Sequence, residues 1–265
     1  MSKQEEARFN PFGARPHKTT NIKNIIAIAS GKGGVGKSMV TGLLATAAMQ
    51  NGFSVGILDA DVTGPSIGKM FNINEKARGT EEGMLPLQSQ EGISIISANM
   101  LLETEDTPIV WRGPMIANAV KEFYTKVLWG DLDVLFVDMP PGTGDVPLTV
   151  FQSLPIDGIV VVTTPQDLVS MVVSKAVKMA EQMNVEVLGL IENMAWMTCP
   201  HCDEKIYPFG EGRTTSLIKD YNIDLLASLP IDSELTKASD EGQIDQIVNK
   251  TLQKVVKELI FKLEK

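Results

Sequence analysis

Gly31-Lys32-Gly33-Gly34-Val35-Gly36-Lys37-Ser38 is the stretch on which the reading of this chain turns. It fits G-x-x-x-x-G-K-[ST], the loop that wraps the phosphates of a nucleoside triphosphate. A bound triphosphate needs several backbone N–H groups pointing inward, and glycine lets the backbone come close without a Cβ in the way. Gly31, Gly33, Gly34, Val35 and Gly36 supply that backbone. Lys37 adds a point charge for the β- and γ-phosphates, and the Ser38 hydroxyl adds a ligand for Mg2+.

The loop has the flanks it needs. Asn24–Ala29 before it is a nearly all-apolar run, the pattern of a strand buried on both faces. Ser38–Met49 after it is rich in Ala, Leu and Met and free of proline, which suits a helix whose N-terminus faces the phosphates. A glycine-rich turn without chemistry explains neither flank. Lys32 is an additional cation within phosphate range, which a plain phosphate loop does not require.

Further along, a second strand, Phe53–Leu58, runs into Asp59-Ala60-Asp61. Two carboxylates at i and i+2 at the end of a parallel strand lie where such folds place ligands, able to reach a metal and a water. Asp133–Asp138 is a buried strand closing on an acid, the pattern in which a carboxylate supports the Mg2+ shell. Pro140–Asp145 follows, and its glycines suit a loop that moves with the γ-phosphate. Between these segments, residues 72–92 read as a polar excursion before a strand at Ile93–Ala98. Pro114 opens a helix over Met115–Trp129; Trp111 is read as packing and Arg112 as an undecided cation.

Gly158–Thr164, Val185–Ile191 and Ile223–Ser228 are further strands, with a helix over Leu168–Met183 in which Met171 and Met179 are core filler. Asn193, at the end of a strand, carries an amide able to read an adenine edge. Leu229-Pro230-Ile231-Asp232 leads into a short helix. In the tail, Val248, Leu252, Val255, Leu259 and Leu263 share one helical face. A docked terminal helix is preferred there over a membrane-surface helix.

The composition is that of an ordinary globular chain: 265 residues, 43% hydrophobic and 22% charged. One α/β domain suffices at this length. The formal net charge of −9 argues against broad nucleic-acid binding, which needs a basic face. The first twenty residues lack the apolar run of a signal peptide, and no run approaches the ~20 residues that span a bilayer. A cytoplasmic protein without membrane or nucleic-acid partners is therefore expected. Residues 1–21 read as a flexible arm and 22–265 as the folded domain.

The only two cysteines form Cys199-Pro200-His201-Cys202. A redox pair, a metal knuckle and inert thiols all fit C-x-x-C. The following Pro208 and Gly210 favour a knuckle over a helix N-terminus. Zinc and iron–sulfur sites usually demand four thiolates, and a twofold dimer would supply the missing pair.

The loop G-K-G-G-V-G-K-S resembles the deviant Walker A loop of the MinD/ParA/nitrogenase-iron-protein ATPases. With L-D-A-D-V-T-G-P-S, W-R-G-P-M, V-D-M-P-P-G-T-G-D, T-P-Q-D and the late C-P-H-C, the chain from about Asn24 to Asp240 resembles the Mrp/ApbC-like iron–sulfur cluster carrier ATPases. The resemblance implies an α/β P-loop NTPase in a single domain, with a mostly parallel central sheet and helices on both faces. It implies that Lys32 and Lys37 bind phosphates, Lys32 across a dimer interface, that Ser38, Asp59 and Asp138 hold Mg2+, and that Asp61 orients the attacking water. Asn193, Pro230 and Asp232 would lie along the base, and Cys199 and Cys202 would share a labile [4Fe-4S] cluster with the second subunit's pair.

The implied function is a homodimeric, slow ATPase that takes a cluster from a donor and hands it to apo-proteins. No N-terminal cysteine cluster stands in this sequence and no extra N-terminal domain is expected, so membership of the scaffold-type subgroup is not expected, and a difference from many bacterial members is. The helix near Val172 lacks an acid that relatives often carry. The competing expectation is a MinD/ParA-like positioning ATPase with no cluster, and a weaker one is a nucleotide-regulated thiol–disulfide enzyme.

Overall fold

Asn21–Ala29 forms β1, and every residue from Asn24 onward is buried, as its isoleucine- and alanine-rich sequence requires of a central strand. The structure, a computed structural model, describes residues 14–62, 64, 66–101, 113–166, 169–210, 218 and 220–264. Trp111, Arg112 and Asp167 lie outside that set, as do the side chains of Val169–Val172.

β1 is followed by α1 (Lys37–Gln50), β2 (Val55–Asp59), the single turn α2 (Ile67–Met70), β3 (Leu87–Gln88) and β4 (Ser94–Ile96). Then come α3 (Gly113–Lys126), β5 (Asp131–Asp138), α4 (Asp145–Ser153), β6 (Gly158–Thr163), α5 (Val169–Gln182) and β7 (Glu186–Glu192). A two-stranded ribbon, β8 (Met197–Thr198) with β9 (Lys205–Ile206), precedes β10 (Leu225–Ser228), α6 (Ser233–Asp240) and α7 (Lys250–Leu263).

Eight strands make one sheet in the order β10-β7-β6-β1-β5-β2-β4-β3, parallel throughout except for the edge strand β3. The path from β1 runs first toward β4 and then returns past β1 toward β10. Right-handed crossovers put helices of the two directions on opposite faces. α1 and α7 pack together in one layer, and α3 and α4 in the other. α1 is buried nearly all round, from Val40 to Ala48, because it lies between the sheet and α7. Small alanines at 45, 47 and 48 permit that close approach.

Several boundaries differ from the sequence expectations. α3 stops at Lys126 rather than Trp129, because the next residues pair with the excursion: Met84 N–H donates to the Lys126 carbonyl and Leu128 N–H to the Met84 carbonyl, each at 2.8 Å. Trp129 is buried, its Nε1–H bonded to the Phe123 carbonyl at 3.1 Å. α7 is docked, yet Val248 is not on its buried face. Val248 precedes the helix cap Asn249 and is 66% exposed, while Val256 and Ile260 take the core positions beside Leu252, Val255 and Leu259. Met179 is buried as expected. Residues 14–20 run along the surface, Ala14 being buried with its N–H on the Ser153 carbonyl at 3.1 Å, and Asn21 already belongs to β1.

Candidate nucleotide site and the cysteine ribbon

The C-terminal ends of β1, β2 and β5 meet at one edge of the sheet, and the chain between β1 and α1 closes over them. Gly34 and Gly36 hold φ of +80° and +78°, a left-handed backbone that favours glycine. Cβ atoms added at Gly33 or Gly34 would meet nothing within 4 Å, so this part of the loop faces open space. Val35 is buried and pins the loop to the core. Beside it lies a cavity of about 360 Å3 bordered by Ser30, Gly33, Lys37, Ser38, Asp61 and Pro141.

Lys37 is only 6% exposed, with Nζ 2.7 Å from Asp138 Oδ1, 3.8 Å from Asp61 Oδ2 and 3.2 Å from Ser38 Oγ. Ser38 Oγ donates to Asp138 Oδ2 at 2.5 Å. Asp59 and Asp138 are register partners on adjacent parallel strands, and both are fully buried. Ser97 Oγ, just past β4, donates to Asp59 Oδ2 at 2.8 Å, and the Asp61 N–H reaches Asp59 Oδ1 at 3.1 Å. Burial, and then the charge of Asp138, push the Asp59 carboxyl up to about 8.

These donors fit a nucleotide with a divalent cation. Two buried carboxylates, Asp59 and Asp138, lie side by side with a single ammonium, that of Lys37, bonded to Asp138 at 2.7 Å, a concentration of negative charge that a cation would offset. Ser38 Oγ lies against one of those carboxylates, and open glycine backbone faces the cavity. Oxygen donors of this kind suit Mg2+.

Sequence reasoning missed Thr41, whose Oγ1 lies 2.8 Å from Asp138 Oδ1 and 3.0 Å from the Lys37 carbonyl. Its place one turn after Lys37 was the available signal. Ser97 and Gln166 gave none. Gln166 Oε1 accepts from Lys32 Nζ at 2.5 Å, so Lys32 is bonded within its own chain. Gly31 opens the turn and does not border the cavity.

Asn193 is buried, and its Nδ2–H donates to the Val35 carbonyl at 3.0 Å. The amide proposed for a base is thus on the phosphate loop itself. Pro230 is half-buried in the segment after β10, which lies beside residues 192–196: Leu229 N–H donates to the Glu192 carbonyl at 2.8 Å and Ile231 N–H to the Trp196 carbonyl at 2.6 Å. Asp232 caps α6 by accepting from the Glu234 N–H at 2.8 Å. Neither residue borders the cavity.

Cys199 and Cys202 lie at the tip of the β8–β9 ribbon. Cys199 N–H donates to the Glu204 carbonyl at 2.9 Å, and Asp203, at φ +59°, turns its N–H back to the Cys199 carbonyl at 3.1 Å. The thiol of Cys199 is held below the ordinary cysteine range by the backbone N–H groups of His201 and Cys202, then by the Cys202 side chain. Cys202 is exposed and Cys199 half-buried, both as free thiols. Ile206, Tyr207 and Phe209 are exposed beside them, and Lys205 Nζ lies 4.0 Å from the centre of the Trp196 ring. Among the described residues no group of three or more His, Cys, Asp or Glu is placed to hold a metal ion.

A phosphate loop leading from the middle strand of a parallel sheet into a buried helix makes the protein a P-loop NTPase. The fold is similar to that of the cell-division ATPase MinD of Pyrococcus furiosus, with a TM-score of 0.64 over 91% of this chain and 98% of that one; identity there is 19%, a likeness of fold alone. The chain belongs to the ParA family, in the group described as NUBPL iron-transfer P-loop NTPase, whose model matches residues 21–264.

Among its relatives is an iron-sulfur cluster carrier protein of Clostridium perfringens, 45% identical over 236 residues that cover 86% of this chain and 83% of that protein. A solved structure, the nucleotide-binding protein of Archaeoglobus fulgidus in complex with ADP, is also 45% identical. Its TM-score is 0.79 over 87% of this chain and 90% of that one.

Proposed function

We propose that this protein is an ATP-dependent iron–sulfur cluster carrier, which holds a labile [4Fe-4S] cluster between two copies of itself and delivers it to apo-proteins. The observation that carries the reading is a two-thiol knuckle, exposed at a ribbon tip, in a chain that also builds a phosphate loop. Two thiolates are half of a cluster's usual donor set, and a second subunit related by twofold symmetry brings the other half. The cluster is cargo: it comes from a donor and leaves to a recipient, which exposure of Cys202 allows. The relatives' names and the family description agree with this reading.

In the nucleotide site, Lys37 leaves Asp138 for the β- and γ-phosphates, and the N–H groups of Gly33, Gly34 and Gly36 face the same anion. Ser38, Asp138 and Asp59 would hold Mg2+, which neutralises charge on the phosphates. Asp61, close to Lys37 and on the cavity, orients the attacking water. Lys32 must leave Gln166 before it meets any phosphate, so hydrolysis is slow in the isolated chain. On the family resemblance alone, Asn193, Pro230 and Asp232 would lie along the base. No helix among the described residues is long and apolar enough to cross a membrane, and the net charge of −9 disfavours nucleic acid. A cytoplasmic setting suits both the free thiols and the cargo.

The test is transfer. Holo-protein mixed anaerobically with an apo [4Fe-4S] enzyme should restore that enzyme's activity in the presence of an iron chelator, with a rate that depends on Mg-ATP. Recovery no faster than from free iron and sulfide would refute the proposal.

A further inference from the structure

The phosphate loop and the cysteines are joined by a short and fully anchored stretch of chain. Cys199 follows Asn193 by six positions. Asn193 is bonded on both sides: its own N–H donates to the Thr163 carbonyl at 2.7 Å, and its side-chain amide donates to the Val35 carbonyl at 3.0 Å. The contact with the loop is close, since a Cβ on Gly36 would collide with the Asn193 amide and lie 3.6 Å from Met194 Cε. Met194 itself holds φ +57°, a conformation costly for a residue with a side chain and kept only where its surroundings enforce it. From there the chain is clipped to the segment after β10. Ala195 N–H bonds the Leu229 carbonyl at 2.8 Å and the Trp196 carbonyl accepts from Ile231 N–H at 2.6 Å, after which the chain enters β8 and Cys199.

The Val35 carbonyl and the Gly36 N–H belong to one rigid trans peptide, so they point in opposite directions. Fixing the carbonyl on Asn193 therefore fixes where the Gly36 N–H points, which is the donor an arriving phosphate uses. Any rotation of that peptide on phosphate binding acts on Asn193, then on the strained Met194, then on the clipped strand that carries Cys199.

We propose that Asn193 is a positioning residue that couples phosphate binding at Gly36 to the arrangement of Cys199 and Cys202 through the Met194–Thr198 strap. This deepens the carrier reading by giving the nucleotide a route to the cargo site. Its test uses metal-free protein, so its failure leaves the question of cluster binding untouched.

The full chain is treated with iodoacetamide at fixed pH, with no nucleotide or with Mg-ADP or Mg-ATP at saturation for each variant, and alkylation of Cys199 and Cys202 is followed by mass spectrometry. Wild type should show a nucleotide-dependent change in rate of about fivefold or more, the lower end of allosteric couplings. Asn193→Asp, which cannot donate to Val35, should bring that ratio close to one, as should Met194→Gly, which relaxes the strap and keeps the Asn193 amide that bonds Val35. A purely structural Asn193 would shift both rates together and preserve the ratio. Wild-type rates indifferent to saturating nucleotide, or variants that keep the wild-type ratio, would overturn the proposal. If Asn193→Asp binds no nucleotide, Met194→Gly decides by the same ratio.

Discussion

Lys32 Nζ donates to Gln166 Oε1 at 2.5 Å, which ties the early lysine of the phosphate loop to the loop after β6 in the same subunit. A lysine that serves a second subunit's nucleotide must first give up this bond. A hydrogen bond to an exposed cation contributes on the order of 1 kcal/mol, or about fivefold in an equilibrium. A twofold dimer gives up two such bonds, so Gln166→Ala should strengthen ATP-dependent dimerisation by about four- to twenty-fivefold in sedimentation velocity, and Lys32→Ala should abolish the gain. An unchanged dimerisation constant in Gln166→Ala would mean that the bond holds nothing back.

The pair Asp59 and Asp138 gives a pH prediction for stability. In the metal-free protein, folded Asp59 keeps its proton up to about pH 8, whereas an unfolded aspartate releases it near 4. Between those values the folded state binds the extra proton, so this group lowers stability as pH rises. Asp59→Asn removes the titration and keeps an acceptor for the Asp61 N–H. Metal-free Asp59→Asn should melt a few degrees above wild type at pH 8, with a smaller gap at pH 5, and Mg-ATP should stabilise only the wild type. Parallel melting curves across that range would contradict the assignment.

Gly34 and Gly36 share a positive φ but differ in their surroundings. At Gly34 an alanine meets open space and costs about 1 kcal/mol of backbone strain; at Gly36 it also drives into the Asn193 amide. In the nucleotide-free protein Gly34→Ala should lower stability in urea unfolding by about 1 kcal/mol and Gly36→Ala by clearly more. The double variant Gly36→Ala/Asn193→Gly should recover part of the loss.

α7 gives a test of docking. Leu252 is fully buried against the core, so Leu252→Ala should cost about 2–5 kcal/mol in urea unfolding. Phe261, 61% exposed on the same helix, should tolerate alanine within about 0.5 kcal/mol. Equal effects at the two positions would mean the helix is not packed as described.

Much of this was legible in the sequence because of how parallel sheets are built. β1, β5 and β6 are buried on both faces, so each reads as a continuous apolar run, and the phosphate loop can be read from residue type alone. The carboxylates of β2 and β5 were visible as strand-end acids, but their pairing as register neighbours was not, since it depends on β5 inserting between β1 and β2. Ser97 and Gln166 escaped because a single hydroxyl or amide has no spacing signature, and Thr41 was passed over although it stands one turn after Lys37; only the fold brings them to Asp59, Lys32 and Asp138. Val248 was misplaced because periodicity cannot say where a helix begins. The signal was Asn249, a capping residue whose side chain accepts the Leu252 N–H at 3.0 Å. β8 and β9, two residues each, are too short to carry a period, and the ribbon exists because the knuckle folds the chain back on itself.

In the proposed carrier two knuckles hold one cluster, and anaerobic reconstitution with iron and sulfide tests this. Iron, acid-labile sulfide and molecular mass should be measured on the same samples of wild type and of Cys199→Ala/Cys202→Ala. Wild type should hold about four irons and four sulfides per dimer, and the variant should retain none. An ATP-binding protein that holds no sulfide, or holds as much without the cysteines, would contradict it.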